Sequence, residues 1–289
     1  MPSVNPDRPA LILYTSGTTA HPKGVTHTHR SLFHTASIMA RDLMDASDVI
    51  LPITQLMHVA ALNGCLMPCI CLGASVILLP GFDPAGVLDA MERFRCTVLL
   101  GLPTLTQFVA EEQARKPRRV GSLRTAAAGG DSVPVALQCC FKALFGIPLQ
   151  EIYAMTEALP ITLVPKGALL PGSMGVPKEG IELRIIDLVG QDGCASETGE
   201  VVVRGAANCI GYWNDPAATD ATQGDGWLRT GDLASRDRDG YYWFKGRKKQ
   251  IIVRGGSNIS PQEVEQALYS GRRELASVPA AASCGLQSP

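Results

Sequence analysis

From Ala10 to Tyr153 the chain alternates short apolar runs with longer amphipathic stretches, and the two kinds of segment predict different elements. Ala10–Tyr14, Ser75–Leu79, Thr97–Leu100, Leu123–Ala127 and Leu149–Tyr153 read as strands. His29–Met44, Pro84–Phe94, the stretch beginning near Pro103 and Pro134–Phe145 read as helices. Asp83 followed by Pro84 is a good helix opening, because an Asp side chain accepts from a free backbone N–H and proline lacks a donor where none is needed. Apolar strands alternating with helices predict an α/β fold, with a mostly parallel sheet covered by helices.

Val49–Phe82 contains no Asp, Glu, Lys or Arg. Pro52, Asn63, Gly64, Pro68, Gly73 and Pro80 divide it into pieces shorter than the roughly 20 residues of a membrane-spanning helix. The pattern instead predicts a buried helix near Val59–Cys69 and a buried strand at Ser75–Leu79. After Pro160 the texture changes. Ile181–Asp187, Glu200–Arg204, Tyr241–Lys245 and Gln250–Val253 are strand candidates split by Gly- and Asp-rich turns, which predicts a β-rich portion, a small barrel or sandwich. Ser260-Pro261-Gln262-Glu263 then opens a helix through a capping box.

Composition narrows the class. With 289 residues, 46% of them hydrophobic and 18% charged, the chain has length for one large domain or two modest ones. A formal net charge of −1 provides no broad field for nucleic acid or an anionic membrane. Met1–Arg8 is polar and lacks the apolar stretch of a signal peptide. The nine cysteines are odd in number and lack C-x-x-C spacing, which argues against a disulfide framework or a zinc site. Cys65, Cys69 and Cys71 lie in the apolar run and read as small core residues. Reduced thiols fit a cytoplasmic protein.

The densest chemistry lies in Tyr14-Thr15-Ser16-Gly17-Thr18-Thr19-Ala20-His21-Pro22-Lys23-Gly24-Val25. Four hydroxyls, two glycines and a lysine directly after a strand suit phosphate, since hydroxyls and backbone N–H groups donate to its oxygens and lysine adds a point charge. It is not a Walker loop, because Pro22 precedes Lys23 and Gly24 follows it. A flexible surface turn has the same composition.

This loop resembles the phosphate-binding signature of the adenylate-forming superfamily: acyl-CoA synthetases, luciferase-like enzymes and peptide-synthetase adenylation domains. Further likenesses follow in the family's order. They are Tyr153-Ala154-Met155-Thr156-Glu157, the glycine turn Pro171–Pro177, Trp227-Leu228-Arg229-Thr230-Gly231-Asp232, and Gly246-Arg247-Lys248-Lys249 with Gly255-Gly256 beyond. The resemblance implies ATP, Mg²⁺ and coenzyme A as cofactor and co-substrates, and a small carboxylic acid as partner. It implies that Thr15, Ser16, Gly17, Thr18, Thr19 and Lys23 hold the β- and γ-phosphates, that Thr156 meets the α-phosphate, and that Glu157 ligates Mg²⁺. Tyr153 would offer a face to adenine, with Gly129, Gly130 and Asp131 letting the backbone approach the base. Asp232 would accept from the ribose hydroxyls and Arg247 would reach ribose or phosphate. His58 would lie by the acyl pocket, Lys249 would be the hinge between half-reactions, and Gly255 and Gly256 would line the thiol's approach. Taken singly, His58 reads equally as a core histidine, Asp232 as a turn aspartate and Tyr153 as a core aromatic.

Ala20 and Ala154 stand where the family has glycines, and Val253 where many relatives have lysine. Family members also carry a long region before the phosphate loop and a full C-terminal domain with a late lysine. Residues 1–248 are therefore expected to be part of the large domain, 249–270 the hinge and start of the small one, and 271–289 an atypical tail left by truncation or a frameshift. The expected activity is acid activation to an acyl-adenylate, then thioester formation with coenzyme A. A catalytically incompetent remnant that binds ATP or AMP is the rival reading, and a luciferase-like or peptide-synthetase adenylation role is a third. The sequence leaves the acid and the oligomeric state open.

Overall fold

A computed structural model describes residues 4–15, 22–165, 168, 170–187, 197–250, 252–254 and 257–259. The chain opens with a hairpin, β1 (Pro9–Thr15) and β2 (Lys23–Thr28), followed by α1 (His29–Leu43). After β3 (Val49–Pro52), α2 (Val59–Ala61) passes through a π-helical turn at Leu62–Leu66 into α3 (Met67–Leu72). Then β4 (Ser75–Val76), α4 (Pro84–Phe94), β5 (Val98–Gly101), α5 (Pro103–Arg115), β6 (Thr125–Gly129), α6 (Val135–Phe145) and β7 (Leu149–Met155) alternate. Next come β8 (Ala158–Leu163), β9 (Ser173–Pro177), β10 (Ile181–Ile186), β11 (Gly199–Gly205) and β12 (Gly211–Tyr212). α7 (Pro216–Gln223), β13 (Leu228–Arg236), β14 (Tyr242–Arg247), β15 (Ile252–Arg254) and β16 (Ser257–Ile259) complete the described elements.

Local chemistry sets the helix ends. Asp83 accepts from the Gly86 N–H at 2.8 Å, and Thr28 and Ser31 form a reciprocal capping box at the start of α1. The parallel strands β4, β3, β5, β6 and β7 are buried on both faces, and alternation sorts their side chains. Leu51, Leu99, Ala126 and Leu149 pack with Val87, Leu88 and Met91 of α4, Val109 of α5 and Phe141 of α6. Ile50, Val98, Leu100, Ala127 and Ile152 point the other way, onto Met39 and Leu43 of α1 and onto Cys65 and Cys69. Burial pushes the Cys69 thiol up to about 11, which keeps it protonated as a small core residue.

Several expectations need correction. Ala10–Tyr14 is a strand, but it lies outside the parallel sheet: β1 pairs with β2, and β2 with β12, in a separate three-stranded antiparallel sheet. The polar run Lys23–Thr28 hides β2 from a reading by hydrophobicity. The β-rich portion after Pro160 is neither a barrel nor a sandwich. Its strands continue the parallel sheet edge to edge through β8, β9, β14, β13, β11 and β10, giving eleven strands in all. Six described elements there were not anticipated as strand or helix: β8, β9, β12, α7, β13 and β16. The strand expected at Ser75–Leu79 is only two residues long, because its ladder with β3 ends at Ile50↔Val76 and Leu78 is exposed. Cys71 is exposed rather than buried. The helix expected from Ser260 and the tail 271–289 lie outside the described residues. Among the described residues no helix is long and apolar enough to cross a membrane.

Candidate functional site

A cavity of about 850 Å³ opens at the carboxyl ends of β5, β6 and β7. The strand order reverses beside these strands, since β4 lies outside β3 whereas β5, β6 and β7 follow in the opposite direction. Crevices at such a switch point, beyond the carboxyl ends of parallel strands, are where open α/β sheets hold ligands. Leu100 and Gly101, Gly129 and Gly130, and Met155 to Glu157 enter the wall from the three strand ends. Thr15 and Lys23 enter it from the small sheet, and Thr230 to Asp232 and Arg247 to Gln250 from the antiparallel strands.

Thr15 and Lys23 are register partners across the β1–β2 hairpin, so both reach the cavity from one place. Ser16, Gly17, Thr18 and Thr19, like Gly255 and Gly256, lie outside the described residues. The Lys23 ammonium stands 4.8 Å from the Tyr212 ring centre, within reach of its π face. The Tyr212 hydroxyl donates to Glu157 Oε1 at 2.8 Å. Burial, then the Glu157 charge beside it, pushes the Tyr212 phenol up, so it remains a donor. The Glu157 carbonyl accepts the Cys209 N–H at 2.7 Å, while the Thr156 carbonyl faces Nε2 of His27 at 2.8 Å. The turn carrying Thr156 and Glu157 is thus held on both sides by the small sheet and the segment leading to it.

The opposite wall is built by register. Asp232 and Arg247 are directly paired on β13 and β14, and their side chains meet with Arg247 Nε 3.1 Å from Asp232 Oδ1. Tyr153 donates its hydroxyl to Asp232 Oδ2 at 2.8 Å. A carboxylate offers about four lone-pair sites. These two contacts therefore leave Asp232 with acceptor capacity for further donors. Burial raises the Asp232 carboxyl above its ordinary value, while Arg247 and Tyr153 pull it back. Gly129 and Gly130 are backbone-dictated: a Cβ at Gly129 would lie 2.3 Å from the Ile152 carbonyl oxygen, and Gly130 has φ +89°.

The cavity brings together Thr15, Lys23, His58, Gly129, Gly130, Thr156, Glu157, Asp232, Arg247 and Lys249. Tyr153 and Asp131 are placed differently. Tyr153 is outside the cavity wall, packed against the cores around Ile161 and Met174, and it meets the site through its hydroxyl. Asp131 is exposed and its carboxylate accepts the Ser132 N–H at 2.8 Å.

One end of the cavity is apolar, walled by Met39, Val59, Ala60, Leu100, Ala127 and Leu159. His58 stands at this end and caps α2, with Nδ1 accepting the Ala60 N–H at 3.2 Å. An N–H can only donate, so neutral His58 carries its proton on Nε2. Burial holds His58 below its ordinary pKa, which favours that neutral form.

Among the described residues no cluster of three or more His, Cys, Asp or Glu is placed to hold a metal by itself. Glu157 is nonetheless a fitting partner for Mg²⁺, an ion usually bound through one or two carboxylates plus waters and substrate phosphates. Tyr212 engages one Glu157 oxygen, and a carboxylate has a second to offer.

Four site residues escaped the sequence reading. His27 and Tyr212 sit on short, polar-looking strands. Glu200 and Lys248 also line the cavity and form an ion pair at 2.8 Å. For His27 and Lys23 the usable signal was their even spacing along a strand, once a strand at Lys23–Thr28 is entertained.

Residues 1–213 match the family model described as AMP-binding enzyme. The chain is 38% identical to the indoleacetate–CoA ligase of Aromatoleum aromaticum, covering 92% of this chain and 53% of that protein. It is 34% identical to the long-chain-fatty-acid–CoA ligase of Bacillus subtilis, covering 93% and 49%. The chain thus spans about half the length of these relatives. Among solved structures, it superposes with a TM-score of 0.86 on an anthranilate CoA ligase in complex with anthranoyl-AMP, at 30% identity over 91% of this chain and 52% of that one. The O-succinylbenzoate coenzyme A synthetase of Bacillus subtilis, in complex with ATP and magnesium, gives 0.84 at 31% identity over 92% and 56%. With ordered motifs, sheet and family model in agreement, the chain belongs to the AMP-binding enzyme family.

Proposed function

We propose that the chain activates a carboxylic acid with ATP, forming an acyl-adenylate and pyrophosphate, and that the acyl group then passes to the thiol of coenzyme A. The observation that carries this reading is the convergence of Thr15, Lys23, Thr156, Glu157, Asp232 and Arg247 on one cavity whose far end is apolar. In this reading a carboxylate oxygen of the acid attacks the α-phosphorus, the α–β bridging oxygen leaves with pyrophosphate, and the apolar end receives the acid's body. Lys23, with Thr15 and the hydroxyls at Ser16, Thr18 and Thr19, holds the β- and γ-phosphates. Thr156 meets the α-phosphate, and Glu157 holds Mg²⁺, which when bound offsets charge on the departing pyrophosphate. Asp232 accepts from ribose hydroxyls through its remaining lone pairs, and Arg247 both pairs with it and reaches ribose or phosphate. Gly129 and Gly130 leave room for the base, with Asp131 at their end. Tyr153 acts by orienting Asp232 rather than by stacking. His58 directs its Nε2–H toward the acid. Residues 1–248 form part of the large domain, with Lys249 as its hinge to the small one.

Pyrophosphate release across a panel of aryl, arylacetic and fatty acids tests this directly. At least one acid is expected to drive release, and Lys23→Ala to abolish most of it. No release with any acid, together with no ATP-dependent thermal shift, would overturn the proposal. An ATP-dependent shift without release would favour the second reading, a module that holds ATP or AMP without completing the reaction.

A further inference from the structure

Side chains alternate along a strand, so Lys23, Val25 and His27 leave β2 on the same face. Lys23 lines the cavity, while Val25 and His27 are completely buried. Lys23 and His27 are separated by about 13 Å of extended backbone. His27 is engaged at both ring nitrogens: Nε2 lies 2.8 Å from the Thr156 carbonyl oxygen, and Nδ1 lies 3.1 Å from Ser31 Oγ. A carbonyl only accepts, so Nε2 carries the proton, and Nδ1 faces the Ser31 hydroxyl, whose single proton also has the Thr28 carbonyl as an acceptor at 3.1 Å. Ser31 is itself fixed, since its Oγ takes the Thr28 N–H at 3.0 Å and its own N–H donates to Thr28 Oγ1 at 3.1 Å. The cap of α1 therefore orients the imidazole, and the imidazole grips the turn that carries Thr156 and Glu157.

No ladder joins the small sheet to the large one among the described residues. The two are tied near the cavity by an isolated bridge between Ala158 and Asn208, by the Cys209 N–H on the Glu157 carbonyl, by Tyr212 on Glu157 and by His27 on Thr156. Of these, His27 alone comes from the strand that also carries Lys23.

We propose that His27 is a positioning residue: its Nε2–H fixes the Thr156–Glu157 turn at a set distance from Lys23, so that the ammonium and the Glu157 carboxylate meet one metal–polyphosphate in register. This rests on the functional reading above. It predicts that loss of the Nε2 donor weakens the metal-dependent part of ATP binding and leaves metal-free ATP binding nearly intact.

The test is calorimetric titration of the full chain with Mg·ATP, and with ATP in excess EDTA, for the wild type, H27L, H27N and H27Q. A glutamine amide nitrogen reaches the place of Nε2, whereas that of asparagine reaches only the place of Nδ1. H27L and H27N are expected to lose roughly tenfold in Mg·ATP affinity, about the size of one hydrogen bond. H27Q is expected to stay within about threefold of wild type, as are all variants toward metal-free ATP. Equal Mg·ATP binding by H27N and wild type overturns the proposal. So does an equal loss with and without Mg²⁺, or a loss shared by H27Q, each of which marks a packing defect. Should H27L show no cooperative thermal transition, the Asn and Gln pair decides. No Mg·ATP binding by the wild type overturns the functional reading itself, and this proposal with it.

Discussion

On one side of β7 the large sheet is parallel, and its strands bring backbone and apolar surface to the cavity. On the other side it is antiparallel and brings charge. Leu100, Gly101, Ala127, Gly129 and Gly130 come from the parallel half, while Glu200, Asp232, Arg247 and Lys248 come from the antiparallel half. The difference follows from geometry. Parallel strands end on the same side, so their carboxyl ends gather into one crevice, and the strands themselves must be apolar because helices cover both faces. Antiparallel strands instead set residues of neighbouring strands directly opposite each other, and the Asp232↔Arg247 register turns that into an ion pair at the cavity wall. The parallel half gives the cavity backbone and apolar walls; the antiparallel half, with its own core around Ile161, Met174 and Leu228, gives it charge.

Truncating the core of the parallel half should break that division most severely. Phe141 is fully buried and stacks on Phe145 with ring centres 4.1 Å apart. Phe141→Ala is expected to destabilise the fold by about 3–5 kcal/mol, through lost burial plus the cavity left behind. Urea denaturation measures this. Below the unfolding transition, the surviving folded fraction should bind Mg·ATP with unchanged affinity, because Phe141 does not line the cavity.

Asp232 asks the converse question of the antiparallel half. Asp232→Ala leaves the buried Tyr153 hydroxyl without its acceptor, a cost of about 1–3 kcal/mol. Under the proposed function it should lower ATP affinity by at least tenfold, as the proposed ribose contacts and the Arg247 partner are lost together. Asp232→Asn retains an acceptor oxygen and should recover most of the stability but only part of the affinity. Titration calorimetry alongside thermal unfolding separates the two effects. Equal ATP affinity in the alanine variant would remove Asp232 from the nucleotide site.

The two halves also differed in how far they could be read from sequence. Leu99 and Ala126 sit in short apolar runs between helices with clear starts such as Asp83-Pro84, so most of the parallel half was legible, but β3, which carries Ile50, lies in the uncharged run Val49–Phe82 and was not anticipated as a strand. β8, β9 and β13 were missed because glycine, proline and polar side chains interrupt their runs, as in Ser173-Met174-Gly175-Val176-Pro177 and Leu228-Arg229-Thr230-Gly231-Asp232. Pairing to long-range neighbours, which no local pattern contains, makes those segments strands. The same limit applies at the site. Thr15, Lys23 and Glu157 carry motif-like neighbours that drew attention, whereas His27 and Tyr212 acquire meaning only when β2, β12 and the Thr156–Glu157 turn are brought together in space.

Glu151 sharpens the comparison from within β7, the strand between the two halves. Burial, above all, pushes its carboxyl up to about 8, against partial help from the Val133 N–H and Gln138 and with Asp131 adding to the rise. Between its ordinary value near 4.5 and about 8, the folded state holds a proton that the unfolded state has released. Glu151 therefore contributes stability that is fully present below pH 4.5 and is lost as pH rises through about 8. Glu151→Gln mimics the protonated form, so its thermal midpoint should match wild type at pH 5 and exceed it by a few degrees at pH 8.5. Parallel pH profiles for the two proteins would rule out a raised Glu151.

The smallest effect is expected at the rim of the charged half. Lys248 pairs with Glu200 at 2.8 Å, with the lysine side chain half exposed and the carboxylate largely buried. Lys248→Met keeps the aliphatic stem and removes the ammonium. Solvent screening on the lysine side limits the pair's own worth, but a Glu200 carboxylate left without its partner costs more than the pair contributed. A net loss of about 0.5–1.5 kcal/mol is expected, shrinking when Glu200→Gln is added, because the neutral amide needs no counter-charge. A double-mutant cycle by denaturant titration reads that coupling. If the two losses instead add, the ion pair contributes nothing to stability, and the charge of the antiparallel half serves the cavity alone.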